Sequence, residues 1–257
     1  MEKNKINHNF SQAAFLYDDF SGTQKKCADI LINKIVRDTN ENILEIGCGT
    51  GFYTSLLDEK FRSSNIWAID ISEKMLEAAK NKKLSNNTNC VFDDGESYYS
   101  SNKFDLVTSN SVFQWMENFE YVIDRYVNML TSNGEIFFSC YGPDTFYELD
   151  AVIGGVLGND SKITASGFKK KDFYFNIMKK YFNDVSIEEN CFVETFDTLY
   201  DFFRVMKKTG VTGAGLGIKK FWGRQLLAMM EKEYLDRFST IKCTHQVFFV
   251  SCKMRKI

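Results

Sequence analysis

The run Glu45-Ile46-Gly47-Cys48-Gly49-Thr50-Gly51 constrains this chain more than any other feature. It closes a short apolar segment, NILEIG over 42–47, that reads as a buried strand. Glycines at 47, 49 and 51 let the backbone turn tightly and approach a ligand within van der Waals range. A GxGxxG dinucleotide fingerprint would put a glycine at position 52, which is Phe52, and no Lys-Ser/Thr pair follows to make a P-loop. Around the loop, helical spacing over 24–37, 52–60, 72–80 and 118–130 alternates with strand-like runs at 65–70, 89–92, 104–110 and 134–141. That alternation predicts βαβ units and a mostly parallel sheet covered on both faces. Beyond residue 141 the pattern changes to helices over 144–153, 171–182, 195–208 and 221–235, with strands at 185–193 and 244–251. The last two strands suit an antiparallel hairpin at the sheet edge, and the helices between them a cap.

Carboxylates follow the glycine loop at telling places. Asp70 ends the second strand, 19 residues after Gly51, where it can accept both hydroxyls of a ribose. Asp94-Gly95-Glu96 follows the third strand, and Ser109-Asn110 the fourth. An acidic residue just before GxGxG, with these three in order, resembles the S-adenosylmethionine site of the class I methyltransferases. The resemblance implies a Rossmann-like, seven-stranded sheet with an antiparallel C-terminal hairpin and a helical cap. It also implies that Glu45 faces the methionine part of the cofactor and that Gly47, Cys48, Gly49 and Gly51 admit its sulfur and ribose. Asp70 would hold the ribose and an acidic residue of Asp94-Gly95-Glu96 the adenine amino group, with Ile71, Met75 and Asn110 completing the site. An amino-methylating Asn/Asp-Pro-Pro-Tyr/Phe loop is absent after the fourth strand, and the single proline, Pro143, precedes Asp144 and not a nucleophilic cysteine.

Over nearly its whole length the chain resembles one family, the malonyl-acyl carrier protein O-methyltransferases of biotin synthesis. The resemblance lies in Phe10-Ser11-Gln12-Ala13-Ala14 with Tyr17-Asp18 and Gln24, and in Ser109-Asn110 followed by Gln114-Trp115. Gly142-Pro143-Asp144-Thr145 with Glu148-Leu149, and Arg204 through Val211, extend it. It implies methylation of the free carboxylate of a malonyl thioester. Such a carboxylate is ionised at pH 7, so no general base is needed, and the chain has only His8 and His245 to offer. On this reading Arg204 orients the substrate carboxylate, Tyr17 closes over the cofactor, and Gln114 and Trp115 wall the acyl pocket. Residues 1–37 form a lid, 38–142 the cofactor-binding core and 143–257 the cap with the last two strands. Another small organic acid or a quinone precursor is the alternative acceptor.

Charge adds a partner. Residues 1–150 carry 14 Lys+Arg against 23 Asp+Glu, and the remainder 18 against 11. The basic half, with Lys169-Lys170-Lys171, Lys207-Lys208, Lys219-Lys220 and Arg224, suits an acidic acyl carrier protein bearing malonyl, with malonyl-coenzyme A as the other thioester. No RNA-recognition signature interleaves with these residues, so nucleic acid is not expected. Seven scattered cysteines without a CxxC pair, no metal-ligand spacing, and neither a signal-like start nor an apolar run of membrane-span length lead us to expect a cytoplasmic, metal-free monomer off the membrane.

Overall fold

The computed structural model describes residues 3–37, 39–158, 162–211 and 223–255. β1 (Asn42–Ile46) is the centre of a sheet because its apolar residues are covered on both faces. It pairs in parallel with β2 (Asn65–Asp70) on one side and β4 (Phe104–Asn110) on the other. β3 (Thr88–Phe92) lies outside β2, and β5 (Leu130–Tyr141) beside β4, also parallel. β7 (Ile241–Arg255) then runs antiparallel between β5 and β6 (Phe182–Phe196), which forms the edge. The order β3-β2-β1-β4-β5-β7-β6 is the expected seven-stranded sheet with its antiparallel hairpin. Strand order reverses between β1 and β4, and the crevice outside the carboxyl ends there is where open sheets bind ligands.

The helices carry their own start signals. α5 (Glu73–Lys80) begins where Ser72 accepts a hydrogen bond from the Met75 N–H, and it buries Met75, Leu76 and Ala79. α6 (Phe119–Met129) is capped by Asn118 in the same way. α3 (Gly22–Lys34) and α4 (Phe52–Lys60) pack on the face opposite α6 through Cys27, Leu31, Tyr53 and Leu57. α8 (Lys171–Tyr181) lies over β6 and β7 with Tyr174 and Met178 inward.

A third apolar cluster stands apart from the two sheet faces. α7 (Tyr147–Leu157), α9 (Leu199–Lys208) and α10 (Arg224–Phe238) meet there through Leu149, Phe202, Met230 and Tyr234, over the start of β7. α7 starts three residues later than the 144–153 expectation, because Pro143 to Phe146 form a turn that ends with Phe146 in the left-handed region. Both hairpin strands run well past the ranges 185–193 and 244–251, paired without interruption from Ser186↔Ser251 to Phe196↔Ile241. Residues 221 and 222 of the expected 221–235 helix, and Lys219-Lys220, lie outside the described residues. At the other end, α1 (Lys3–Ala13) and the short α2 (Tyr17–Phe20) lead into α3.

Candidate active site

Gly47, at the end of β1, adopts φ +70°, and a Cβ there would lie 2.4 Å from a Val112 methyl. Its N–H and that of Cys48 both bond the Ile69 carbonyl, which pins the loop to β2. Gly49 also has positive φ, but a Cβ there would meet nothing, because that side opens onto a cleft. The Gly49 N–H donates to Asp70 Oδ2 at 2.8 Å and the Ser72 N–H to Asp70 Oδ1 at 2.8 Å. One carboxylate therefore sets both the glycine loop and the start of α5. Burial pushes the Asp70 carboxyl above its ordinary range, and these two N–H groups hold part of the shift back.

The cleft encloses about 860 Å³, its open mouth included, at the β1/β4 reversal. Tyr17, Gly47, Gly49, Asp70, Ile71, Met75, Asp94, Gly95, Glu96, Asn110 and Trp115 all line it. Its floor is apolar, from Ile46, Ile69, Val112 and Met116. A buried carboxylate, a glycine whose missing Cβ leaves open space and an apolar slot beside them fit a nucleoside carrying a short polar chain. S-adenosylmethionine is such a molecule.

Three other residues expected at the cofactor lie outside the cleft. Glu45 is buried beneath the loop, with Oε2 lacking a hydrogen-bond partner. Burial, with the Asp70 charge adding to it, pushes its carboxyl up to about 8. Burial thus favours its neutral form under the site. Cys48 turns inward to pack with Ala68 and Leu76. Gly51 works at a helix contact, since a Cβ there would lie 2.9 Å from the Ala79 methyl.

The residues expected at the substrate divide in the same way. Trp115 lines the cleft, a second chamber and a third groove. Tyr17 packs tilted and Trp115 edge-on against Phe10, with ring centroids 6.3 and 6.2 Å away. The Gln114 amide is spent on backbone, donating to the Ser111 carbonyl and accepting from the Tyr141 N–H, and it lines only the third groove. Arg204 is 54% exposed, pairs with Asp201 at 3.1 Å and lines none of these cavities. Asn110 faces the cleft with both ends of its amide engaged, by Ser139 Oγ and the Gln24 carbonyl.

Sequence reasoning missed the wall made by α1. Lys3, Ile6, Asn7 and Phe10 line the cleft. Their spacing of three, four and seven is one helical stripe, and that periodicity is the signal that marks them. The Lys3 ammonium bridges Asp94 at 2.7 Å and Glu96 at 3.0 Å, and Ser11 meets Ser72 at 2.7 Å. Both contacts strap α1 across the site.

Gly47→Ala is expected to weaken cofactor binding about tenfold, because the new methyl displaces Val112 into the floor and strains a left-handed residue. Adding Val112→Ala should restore part of that loss; calorimetric titration of both variants checks it.

The sheet order and the cleft define a class I methyltransferase whose cofactor is S-adenosylmethionine. Residues 44–138 match the family model described as a methyltransferase domain. The YcgJ protein from Bacillus subtilis shares the fold at TM-score 0.62 and 12% identity, over 90% of this chain and 99% of that one. So does phosphoethanolamine N-methyltransferase 2 of Haemonchus contortus, solved with S-adenosylhomocysteine, at TM-score 0.58 and 17% identity over 95% and 58%. Malonyl-[acyl-carrier protein] O-methyltransferase 1 of Ilyobacter polytropus is 33% identical over 93% of this chain and 88% of its own length. The chain belongs to the malonyl-[acyl-carrier protein] O-methyltransferase family.

Proposed function

We propose that the protein methylates the free carboxylate of a malonyl group carried as a thioester on acyl carrier protein, as a step of biotin synthesis. The near full-length similarity to the Ilyobacter polytropus enzyme carries this reading. The second chamber supports it from the chemistry. That chamber, about 460 Å³ with Trp115, Phe146, Phe168 and Met206 on its walls, adjoins the cofactor cleft across Trp115. His245 faces it, and burial holds its imidazole down at about 4. A histidine with so low a value is a poor proton acceptor, which suits an acceptor that arrives already ionised.

S-adenosylmethionine supplies an electrophilic methyl on a sulfonium. The chain's task is placement and exclusion of water. Asp70 would take the ribose hydroxyls, Ile71, Met75 and Gly95 would enclose the adenine, and Tyr17 and Trp115 would close the space between the two chambers. Holding the reacting oxygen in line and dry supplies the rate. Lys3 and the Glu96 and Glu117 N–H groups each take one lone pair on the Asp94 and Glu96 oxygens, so the adenine amino group would donate to a second lone pair there.

Arg204, on the exposed face of α9 with Lys207, Lys208 and nearby Asp201, is better placed to meet the carrier protein than the malonyl group. Methyl transfer to malonyl-acyl carrier protein should fall about tenfold from low to ~0.3 M salt, whereas transfer to malonyl-pantetheine, which lacks the acidic carrier, should barely change. A flat salt response for both would remove the docking face. The function itself is tested by labelled methyl transfer from S-adenosylmethionine to malonyl-acyl carrier protein, malonyl-coenzyme A and malonate. A base-labile ester formed fastest on the carrier supports it; transfer to none of the three overturns it. We propose that the protein works in the cytoplasm, a reading supported by its seven unpaired cysteines.

A further inference from the structure

Two buried hydroxyls stand side by side at the seam of the two chambers, close enough to influence each other and with the Cys27 thiol beside one of them, yet neither meets the full geometry of a hydrogen bond. They are Ser111 Oγ and Tyr141 Oη. Ser111 lines the cofactor cleft and Tyr141 the second chamber, while Trp115 borders both. Buried polar atoms without partners are uncommon in folded proteins and call for a reason. Ser111 is costly in a second way, since its φ of 65° lies in the left-handed region that a serine rarely adopts. The Ser111 N–H donates to the Ser139 carbonyl at 3.0 Å and to Ser139 Oγ at 3.0 Å, and these bonds hold it there. Strain and an orphaned hydroxyl at one residue, beside the reversal of strand order, mark a position kept for a ligand and not for the fold.

We propose that the Ser111 and Tyr141 hydroxyls together bind and orient the acceptor carboxylate, so that neutral donors replace the cation expected there. This rests on the malonyl-thioester reading above. The charge balance of the transfer favours such donors. A carboxylate oxygen forms a bond to the methyl carbon as the carbon–sulfur bond breaks, and the electron pair of that bond stays on sulfur. The negative acceptor and positive sulfonium thus become a neutral ester and a neutral thioether, with no proton moved. A guanidinium on the carboxylate would stabilise the separated charges of the ground state more than the transition state, in which they are cancelling. Hydroxyl donors fix direction with less of that penalty, and a dry seam adds to the gain. Burial holds the Tyr141 hydroxyl far above its ordinary range, so it is a donor at any working pH. Glu194, on the β6 wall of the same chamber, is engaged by the Thr23 hydroxyl. Its charge turns an incoming carboxylate away from β6 and toward the seam.

The test uses Tyr141→Phe, Ser111→Ala and the double variant of the whole protein, assayed for methyl transfer to malonyl-acyl carrier protein. Each single change should lower kcat about tenfold to a hundredfold while leaving S-adenosylmethionine affinity unchanged. Thermal stability should hold or rise, because an unpartnered buried hydroxyl is removed. A double variant within twofold of wild-type kcat overturns the proposal. So does a loss of rate that comes with an equal loss of cofactor affinity or a lowered Tm, which assigns the hydroxyls to the fold. Wild-type protein that methylates no malonyl thioester overturns the function itself, and this inference with it, on a measurement that involves no variant.

Discussion

Asp70→Ala is expected to weaken S-adenosylmethionine binding by a factor of about one hundred or more, roughly 3 kcal/mol, and to leave methyl transfer undetectable. The carboxylate holds two backbone N–H groups, one from the glycine loop and one from the start of α5. Its removal releases the loop whose open side forms the cleft, and at the same time deletes the group that would take the ribose hydroxyls. Asp70→Asn separates these effects. Its carbonyl oxygen can keep one of the two N–H bonds, but its amide cannot accept the other. It should therefore retain the far-ultraviolet circular dichroism and most of the thermal stability of the wild type while binding the cofactor at least tenfold more weakly. Calorimetric titration with S-adenosylhomocysteine reads both variants. Affinity within threefold of wild type for Asp70→Ala would take Asp70 out of the cofactor site.

The second large effect concerns stability. In the folded chain burial raises the Glu45 carboxyl to about 8, whereas a free glutamate has the ordinary value of 4.5. Between those values the folded protein keeps a proton that the unfolded chain has lost. Stability is therefore fully present below pH 4.5 and declines as pH rises toward 8, by about 2 kcal/mol between pH 6.5 and 8. Glu45→Gln keeps the shape without the titration, so the decline should vanish and the variant should be the more stable protein above pH 8. His245, depressed to about 4, acts in the opposite sense below its free value of 6.5. Urea unfolding from pH 6.5 upward, compared between wild type and variant, isolates Glu45. Parallel curves for the two proteins would mean that Glu45 is ionised beneath the loop.

Those two residues also mark how far the chain's function can be read without its coordinates. Asp70 is legible because its environment is local: a strand end, a glycine loop and a capped helix punctuate the sequence within a few residues of it. Glu45 carries the same kind of signal, yet strand pleat decides that its side chain goes under the loop, and pleat phase at a strand end is not written in the motif. Arg204 was legible in principle. Leu199, Phe202 and Met206 form the buried stripe of α9, and a residue two places from both Phe202 and Met206 falls on the opposite, wet face. Gln114 was not, because only the fold brings the Tyr141 N–H within reach of its amide, beside the local Ser111 carbonyl. The sheet order followed from alternation of strand and helix, whereas the full reach of the hairpin depended on pairing across more than forty residues of chain.

The α1 strap has a thermodynamic consequence. A helix that walls the cleft and is tied across it by Lys3 and Ser11 is linked to whatever fills that cleft. By reciprocity, any free energy the nucleotide gains from a closed N-terminus reappears as added order of that N-terminus when the nucleotide is bound. Residues 3–13 should thus report occupancy from a distance: their amide hydrogens are expected to exchange at a rate set by how long the cofactor or its spent form stays in place. Turnover should then include a step in which no bond of the substrate changes, the lifting of α1 from two carboxylates.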